Sequence, residues 1–360
     1  MKDTLNNNVY KDIDNVAKKL IQKYSNEDIR VINLASGITP VYELGDFYLR
    51  EILINYEIMT LLEREGIPSR IHLFIDDHDP LNERYLRRTM RYFTRINIVK
   101  SLDISILISE MDKPLFKIQD PLGCHKSLSD HFLDLFLDKL EYVGLTTDIK
   151  VAKMSQMYMN EKFQETILEI VLSKYNVLHD ILAKYNRNLL LRYLDNNQKY
   201  VDVTIRIDNN KLKGLIRRKI KYKFFKMSAV IEFAYRWWWF DIHFEPFSQK
   251  YFSGDKALFY ATDEIGRNIF AKSIVTLNYG LLRFHLIKDK YKSMPSEFLD
   301  LNNLKELILK RLNKEHTIHP SEIEKYIKAN INDVNKNYNI ILVLYELISS
   351  LTSINTVRKY

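Results

Sequence analysis

Residues 34–51 read LASGITPVYELGDFYLRE. An apolar run closes on Ser36 and Gly37, a Gly/Pro turn follows, and an amphipathic stretch opens beyond it. That order predicts a buried strand, a turn and a helix over 45–64. Upstream, IRVINLA (29–35) supplies the body of the strand, and RIHLFID (70–76) reads as a second strand ending in acids. Strand, helix and strand in such close succession predict a βαβ unit, hence a parallel sheet with a right-handed crossover. Ligands of an open α/β sheet bind beyond the carboxyl ends of its strands, where free N–H groups and the helix dipole favour an anion. Ser36, Gly37, Thr39 and Gly45 suit that turn: glycine lets a ligand approach the backbone and threonine offers a hydroxyl. Glu43 does not suit a phosphate, which raises the question of what the turn holds.

The pattern continues outward in both directions. A helix is predicted over 11–25, a third strand over ISILISEM (104–111) and a helix over 127–141. Residues 158–185 read as one or two helices, YVDVTIRID (200–208) as a half-buried strand, and 227–240 as a helix. Segment FDIHFEPF (240–247) and the strand-like NYGLLRFHLI (278–287) resume the sheet, and beyond Pro295 the chain looks helical. The organisation predicted is an N-terminal half of a nucleotide-binding α/β domain (1–146), an inserted α+β segment (147–226), the C-terminal half (227–296) and a small helical region (297–360).

Composition narrows the class. With 46% hydrophobic and 28% charged residues, the 360-residue chain reads as globular. A net charge of +8 suits a polyanionic partner. Cys124 is the single cysteine, which excludes a disulfide framework and a multi-thiolate zinc site. The first residues carry no signal-peptide apolar core, and the run 340–348 is too short to span a bilayer. A cytoplasmic protein with no membrane partner is expected.

Several stretches in order resemble class I lysyl-tRNA synthetase. SGITP (36–40) with LRE (49–51) is similar to the segment that opens that family's ATP site, and IDDHDP (75–80) to its Asp-Asp-x-Asp stretch. DPLGCHKSLSDHF (120–132), SQMYMNEKFQETI (155–167) and FAYRWWWFDIHFEPF (233–247) resemble further family segments. The resemblance covers roughly residues 30–295 and implies a Rossmann-like catalytic fold. It also implies ATP with Mg2+, an amino acid (lysine or a relative) and the tRNA acceptor end, with an aminoacyl-adenylate as intermediate. On this alignment Ser36, Gly37, Thr39, Gly45, Asp46 and Ser293 contact nucleotide. Gly37, Thr39, Asp77, Trp237 and Tyr251 contact the amino acid, and Glu43, Lys290 and Lys292 occupy catalytic positions.

The catalytic motifs depart from the family. His-Ile-Gly-Asn appears as Glu43-Leu44-Gly45-Asp46, and an ionised Glu43 would repel phosphates by several kcal/mol, at an effective dielectric near ~20. After Phe244-Glu245-Pro246-Phe247, Tyr251 replaces a histidine that helps hold the substrate, and Pro295 stiffens the aligned Lys-rich loop KDKYKSMPSEF (288–298). Only about 60 residues follow Pro295, too few for the family's anticodon-reading region. Three readings follow: an ATP-dependent synthetase-like enzyme, a transferase that consumes aminoacyl-tRNA as cyclodipeptide synthases do, and a non-catalytic amino-acid- or tRNA-binding paralogue.

Three smaller signals complete the reading. Lys211, Lys213, Arg217, Arg218, Lys219, Lys221 and Lys223, interleaved with Tyr222, Phe224 and Phe225, suit an RNA backbone with unstacked bases. Asp76, Asp77 and Asp79 suit a divalent ion, a substrate amine or merely a polar loop. Cys124, His125 and His131 do not make a tetrahedral set at helical spacing, so no metal and no structural zinc are expected.

Overall fold

A computed structural model of the chain describes residues 9–10, 12–41, 46–95, 104–142, 145, 149–204, 225–252, 257–280, 282–284 and 316–318. The first elements are β1 (Val9–Tyr10), α1 (Ile13–Asn26), β2 (Ile32–Ile38), α2 (Asp46–Arg64) and β3 (Ser69–Ile75). Asp12 caps α1 by accepting the Asn15 N–H at 2.8 Å. Beyond the end of α2, Gly66 takes a φ of +70°, a conformation that favours glycine. β2 and β3 pair in parallel from Ile32↔Ser69 to Ile38↔Ile75, and β4 (Ile149–Lys153) extends the sheet from Ile71↔Ile149 to Ile75↔Lys153.

Phe244 joins this half to the other. It bridges Leu34 on one side and Val275 on the other, and its carbonyl accepts the Ala35 N–H at 2.8 Å. The chain then enters β8 (Phe247–Ser248), which pairs in parallel with β9 (Thr276–Tyr279), and β9 pairs in parallel with β1. The strand order is therefore β4-β3-β2-β8-β9-β1. Read from β2, the first five strands follow 3-2-1-4-5, a doubly wound sheet whose direction reverses between β2 and β8. That reversal puts a crevice beside the carboxyl end of β2.

Helices cover both faces. Leu20 of α1 and Ile54, Ile58 and Leu62 of α2 pack on Ile32 and Leu34. A larger core joins α7 (Glu161–Ser173), α8 (Tyr175–Lys184), α9 (Ala229–Trp239) and α10 (Leu258–Phe270) to Ala35 and Phe74. A third cluster holds α3 (Glu83–Arg95), α4 (Ile104–Ser109), a 3-10 turn (Leu115–Lys117) and α5 (Leu128–Tyr142) together through Phe93, Leu107, Leu115 and Phe132. Among the described residues no helix is long and apolar enough to cross a membrane.

The structure corrects two expectations. The run over 104–111 is α4 followed by a turn, not a strand: Leu107 is buried while Ile106 and Ile108 are exposed, and a short apolar run carries no periodicity that separates helix from strand. The third strand is instead β4, IKVAK, so the parallel sheet reaches past residue 146. Beyond it lie α6 (Met154–Met159), α7, α8 and a small antiparallel sheet ordered β6-β5-β7, made of β5 (Leu190–Leu194), β6 (Tyr200–Thr204) and β7 (Phe225–Met227). β10 (Leu282–Phe284) pairs in parallel with β11 (His316–Ile318), a strand inside the region expected to be helical.

Candidate functional site

Gly37 lies near the carboxyl end of β2, at the edge of the crevice. A Cβ added there would meet the Arg236 guanidinium and the Asp76 carboxylate at 3.6 Å, so glycine leaves a methyl-sized space facing an acid and a cation. Arg236 of α9 is fully buried, sandwiched by Phe233 and Phe74 at 4.1 and 4.6 Å from its guanidinium carbon. Its Nη1 donates to Asp76 Oδ1 at 3.0 Å, and its Nη2 faces Glu245 Oε1 at 3.8 Å. Neither Nε nor Nη2 has a hydrogen-bond partner among the described residues. Burial pushes the Asp76 pKa up to about 7; Arg236 opposes this, and Asp79 and Glu232 add to it. Asp76 keeps some exposure.

α2 locks the crevice from the other side. Glu51 is buried, accepting from Ser36 Oγ at 3.1 Å and from the Tyr279 hydroxyl at 2.5 Å, and Arg50 Nη1 donates to the Gly280 carbonyl. Burial raises the Glu51 pKa to about 8 against those hydrogen bonds, so at neutral pH it is mostly an uncharged acid.

Below Asp76 the loop after β3 is pinned residue by residue. Asp77 turns into the protein and accepts from the Ser155 N–H at 2.8 Å and the Ser155 hydroxyl at 2.5 Å. His78 is fully buried, with Nε2 2.9 Å from Glu232 Oε2, which also accepts from the Tyr158 hydroxyl at 3.1 Å. Asp79 accepts from Lys226 Nζ and from Thr39 Oγ1, the latter at 3.1 Å. Burial would raise the Asp79 and Glu232 pKa values, but Lys226 and His78 outweigh it and hold both low. Lys226 belongs to β7, and the Tyr200 hydroxyl of β6 donates to the His78 carbonyl at 2.6 Å. The small antiparallel sheet thus fixes the floor of the crevice.

Ser36 and Gly37 lie in the last residues of β2 and Thr39 just beyond it, and Ser36 and Thr39 direct their hydroxyls to Glu51 and Asp79. Asp77 faces Ser155, and Asp76 is the acid beside Gly37. Trp237 is fully buried, its N–H donates to Glu245 Oε2 at 2.5 Å, and its ring packs on Phe247 and Phe259. Tyr251 is half-buried against Phe247. Asp46 opens α2, with its side chain outside the described residues. Glu43, Gly45, Lys290, Lys292, Ser293 and the stretch Lys211, Lys213, Arg217, Arg218, Lys219, Lys221 and Lys223 also lie outside them. From Ser36 to Glu51 the sequence holds one cation, Arg50, and that is buried on Gly280. The described part of this turn therefore does not fit a triphosphate.

A second constellation lies before and within α5. Asp120 Oδ2, Cys124 Sγ, His125 Nδ1 and His131 Nδ1 converge. Cys124 Sγ is 3.1 Å from Asp120, 3.1 Å from His125 and 3.3 Å from His131. The two imidazole nitrogens are 3.2 Å apart and lie 3.6 and 3.5 Å from the carboxylate. Tetrahedral zinc with ligands at ~2.0–2.3 Å places them roughly 3.3–3.7 Å apart, a little wider than the two shortest Cys124 contacts and the His125–His131 contact, so the four donors converge closely enough to surround one ion after a small outward shift. Outer hydrogen bonds orient both rings: His125 Nε2 to Asp134 at 2.8 Å and His131 Nε2 to the Tyr92 hydroxyl at 3.1 Å. The sequence expectation of no metal here rests on helical spacing. Cys124 and His125 sit in a turn rather than on a helix, and Asp120 supplies the fourth donor.

A doubly wound parallel sheet with its polar site at the strand reversal is a Rossmann-like arrangement. The family model for tRNA synthetases class I (K) matches residues 12–290, and the chain belongs to that family. A lysine–tRNA ligase of Archaeoglobus fulgidus is 32% identical over 151 residues, 42% of this chain and 27% of that protein. That of Thermococcus kodakarensis is 24% identical over 318 residues, 82% of this chain and 56% of the relative. The chain thus spans between about a quarter and just over half the length of these relatives. Among solved structures, Mycobacterium tuberculosis methionyl-tRNA synthetase with methionyl-adenylate is 7% identical, with a TM-score of 0.45 over 85% of this chain and 69% of that one. Tyrosyl-tRNA synthetase of Archaeoglobus fulgidus with L-tyrosine is 9% identical, with a TM-score of 0.40 over 93% of each chain.

Proposed function

We propose that the chain is an aminoacyl-tRNA ligase-type core that binds an α-amino acid over Gly37 and passes its acyl group to tRNA. The observation that carries this is the pairing of Asp76 with Arg236 beside Gly37. Asp76, partly exposed and held on one oxygen by Arg236, is placed to take the α-ammonium with the other. Lysine or a relative is the amino acid that family membership favours. ATP with Mg2+ is then the co-substrate, and Lys290, Lys292 and Ser293 its contacts, as the resemblance implies. The acids of the first turn favour a second reading, in which the chain receives its acyl group from aminoacyl-tRNA without ATP.

Amino-acid-dependent ATP–pyrophosphate exchange, screened over the common amino acids with lysine first, tests the choice. Exchange supports the ligase. No exchange together with consumption of aminoacyl-tRNA supports the transferase, and neither activity with salt-sensitive tRNA binding leaves a binding paralogue. The set Asp120, Cys124, His125 and His131 is proposed to hold a structural zinc that fastens the loop before α5 to Tyr92 of α3.

A further inference from the structure

Lys226 stands on β7 in the floor of the crevice, a lysine almost wholly withdrawn from solvent. Its neighbours in the strand, Phe225 and Met227, are buried in the large core, so the side chain has no route to water at the surface. Its ammonium donates to Asp79 Oδ1, while Asp79 Oδ2 accepts from Thr39. Asp79 sits one turn beyond Asp76, its N–H on the Asp76 carbonyl at 3.1 Å. The stem and head group of a lysine are therefore already in place next to the acid that faces Gly37, and the chain itself supplies them.

The other acids around that point are answered in the same way. Glu232 and Asp76 bring carboxylate oxygens within 4.8 Å of each other, and Glu232 takes His78 Nε2 at 2.9 Å and the Tyr158 hydroxyl at 3.1 Å. Glu245 accepts the Trp237 N–H at 2.5 Å and faces Arg236 Nη2 at 3.8 Å. Asp76 meets Arg236 through Oδ1 and turns Oδ2 toward Gly37, the oxygen placed for an α-ammonium. A lysine substrate would bring a second ammonium to this crevice. Among the described residues it would find carboxylates that already have partners, over a floor that carries Lys226 and Arg236. Taking such a charge out of water without a carboxylate of its own is strongly unfavourable, and a neutral side chain escapes that cost.

We infer that the crevice selects an α-amino acid with a neutral side chain, Lys226 standing in for the cation that a lysine side chain would bring. The inference rests on the amino-acid reading of Asp76 and Gly37 and narrows its substrate class away from the lysine that family membership favours. The test is calorimetric titration of the full chain with lysine and with norleucine, which keeps the four-carbon stem and lacks the ammonium, followed by the common neutral and acidic amino acids. Wild type is expected to bind norleucine or one of the neutral amino acids at least tenfold more tightly than lysine. K226M leaves Asp79 without its cation, so it is expected to shift the lysine-to-norleucine affinity ratio at least tenfold toward lysine. K226M/D79N, which lacks both charges, is expected to return that ratio to the wild-type value, a reversal that loss of packing alone does not produce. A wild-type chain that binds lysine as well as any neutral amino acid, or that prefers an acidic one, overturns the inference and leaves the amino-acid site standing. A K226M chain that melts as a folded protein and keeps the wild-type ratio overturns the role of Lys226. A wild-type chain that binds none of these amino acids overturns the site at Asp76 and the inference with it. The wild-type ratio needs no variant, so a folding defect in K226M leaves the inference testable.

Discussion

Glu51→Gln isolates what an uncharged acid does beneath the crevice. Glutamine keeps the shape, accepts the Tyr279 hydroxyl on Oε1 and donates from its amide to Ser36 Oγ, so the contacts at 2.5 and 3.1 Å survive. What disappears is titration. The folded pKa is raised from 4.5 to about 8, chiefly by burial. The unfolded chain therefore releases the proton first: the stability that the neutral acid contributes is fully present below pH 4.5 and is lost as pH rises toward 8. At about 1.36 kcal/mol per unit the full loss is of order 5 kcal/mol. Urea unfolding of both proteins near pH 4.5, 6 and 8 reads the difference directly, because groups common to both cancel. The variant is expected to match the wild type at the acid end and to exceed it by at least about 2 kcal/mol at the alkaline end. A difference that does not change with pH refutes the neutral carboxylic acid.

Four further outcomes follow from the site. Asp76→Asn is expected to weaken amino-acid binding at least tenfold in calorimetry, and wild-type affinity to rise as pH climbs through about 7, because only the ionised carboxylate holds an ammonium. Gly37→Ala is expected to fold with stability within about 1 kcal/mol of wild type, since its methyl meets Arg236 and Asp76 at ordinary contact distance, yet to lose binding by filling the ligand's space. Arg236→Met is expected to cost about 3–5 kcal/mol in urea unfolding, because it leaves the buried Glu245 and the half-buried Asp76 without their cation. Cys124→Ser is expected to lose metal from a chain that otherwise carries one zinc by elemental analysis, with a lower melting temperature that added zinc does not restore.

Elements set by long apolar runs were legible in the sequence. IRVINLA and RIHLFID form the two strands they predict, α2 spans Asp46–Arg64 against an expected 45–64, and α5 spans Leu128–Tyr142 against 127–141. What escaped was short or compensated. β4 is IKVAK, with a lysine at its end and another in its body; it is a strand because β3 offers it an edge, which no local pattern reveals. β8 is two residues long, and Phe244, which joins the two halves, does so through bridges to residues at both ends of the domain.

The site divides along the same line. Ser36, Gly37 and Thr39 were legible because a strand, a glycine and a helix occur in sequence order. Their partners were not, because Asp76 and Arg236 are separated by 160 residues and meet only once the sheet has formed. The acid chosen from the sequence, Asp77, differs from the one that faces Gly37 for a simple steric reason. Successive side chains at the end of a strand point to opposite sides, and Ser155 captures Asp77 on the far one. Glu51 shows the deeper limit. Glu51 lies in the second turn of α2, and only its burial between Ser36 and Tyr279, which no local pattern reveals, turns it into an uncharged acid. Among the described residues the crevice has thus given its hydroxyls and the α2 cation Arg50 to the protein itself, and what remains toward a ligand is a glycine, an acid and the guanidinium behind it. That inventory suits an ammonium better than a phosphate, which is why amino-acid binding, rather than ATP binding, is the property by which this site is best tested.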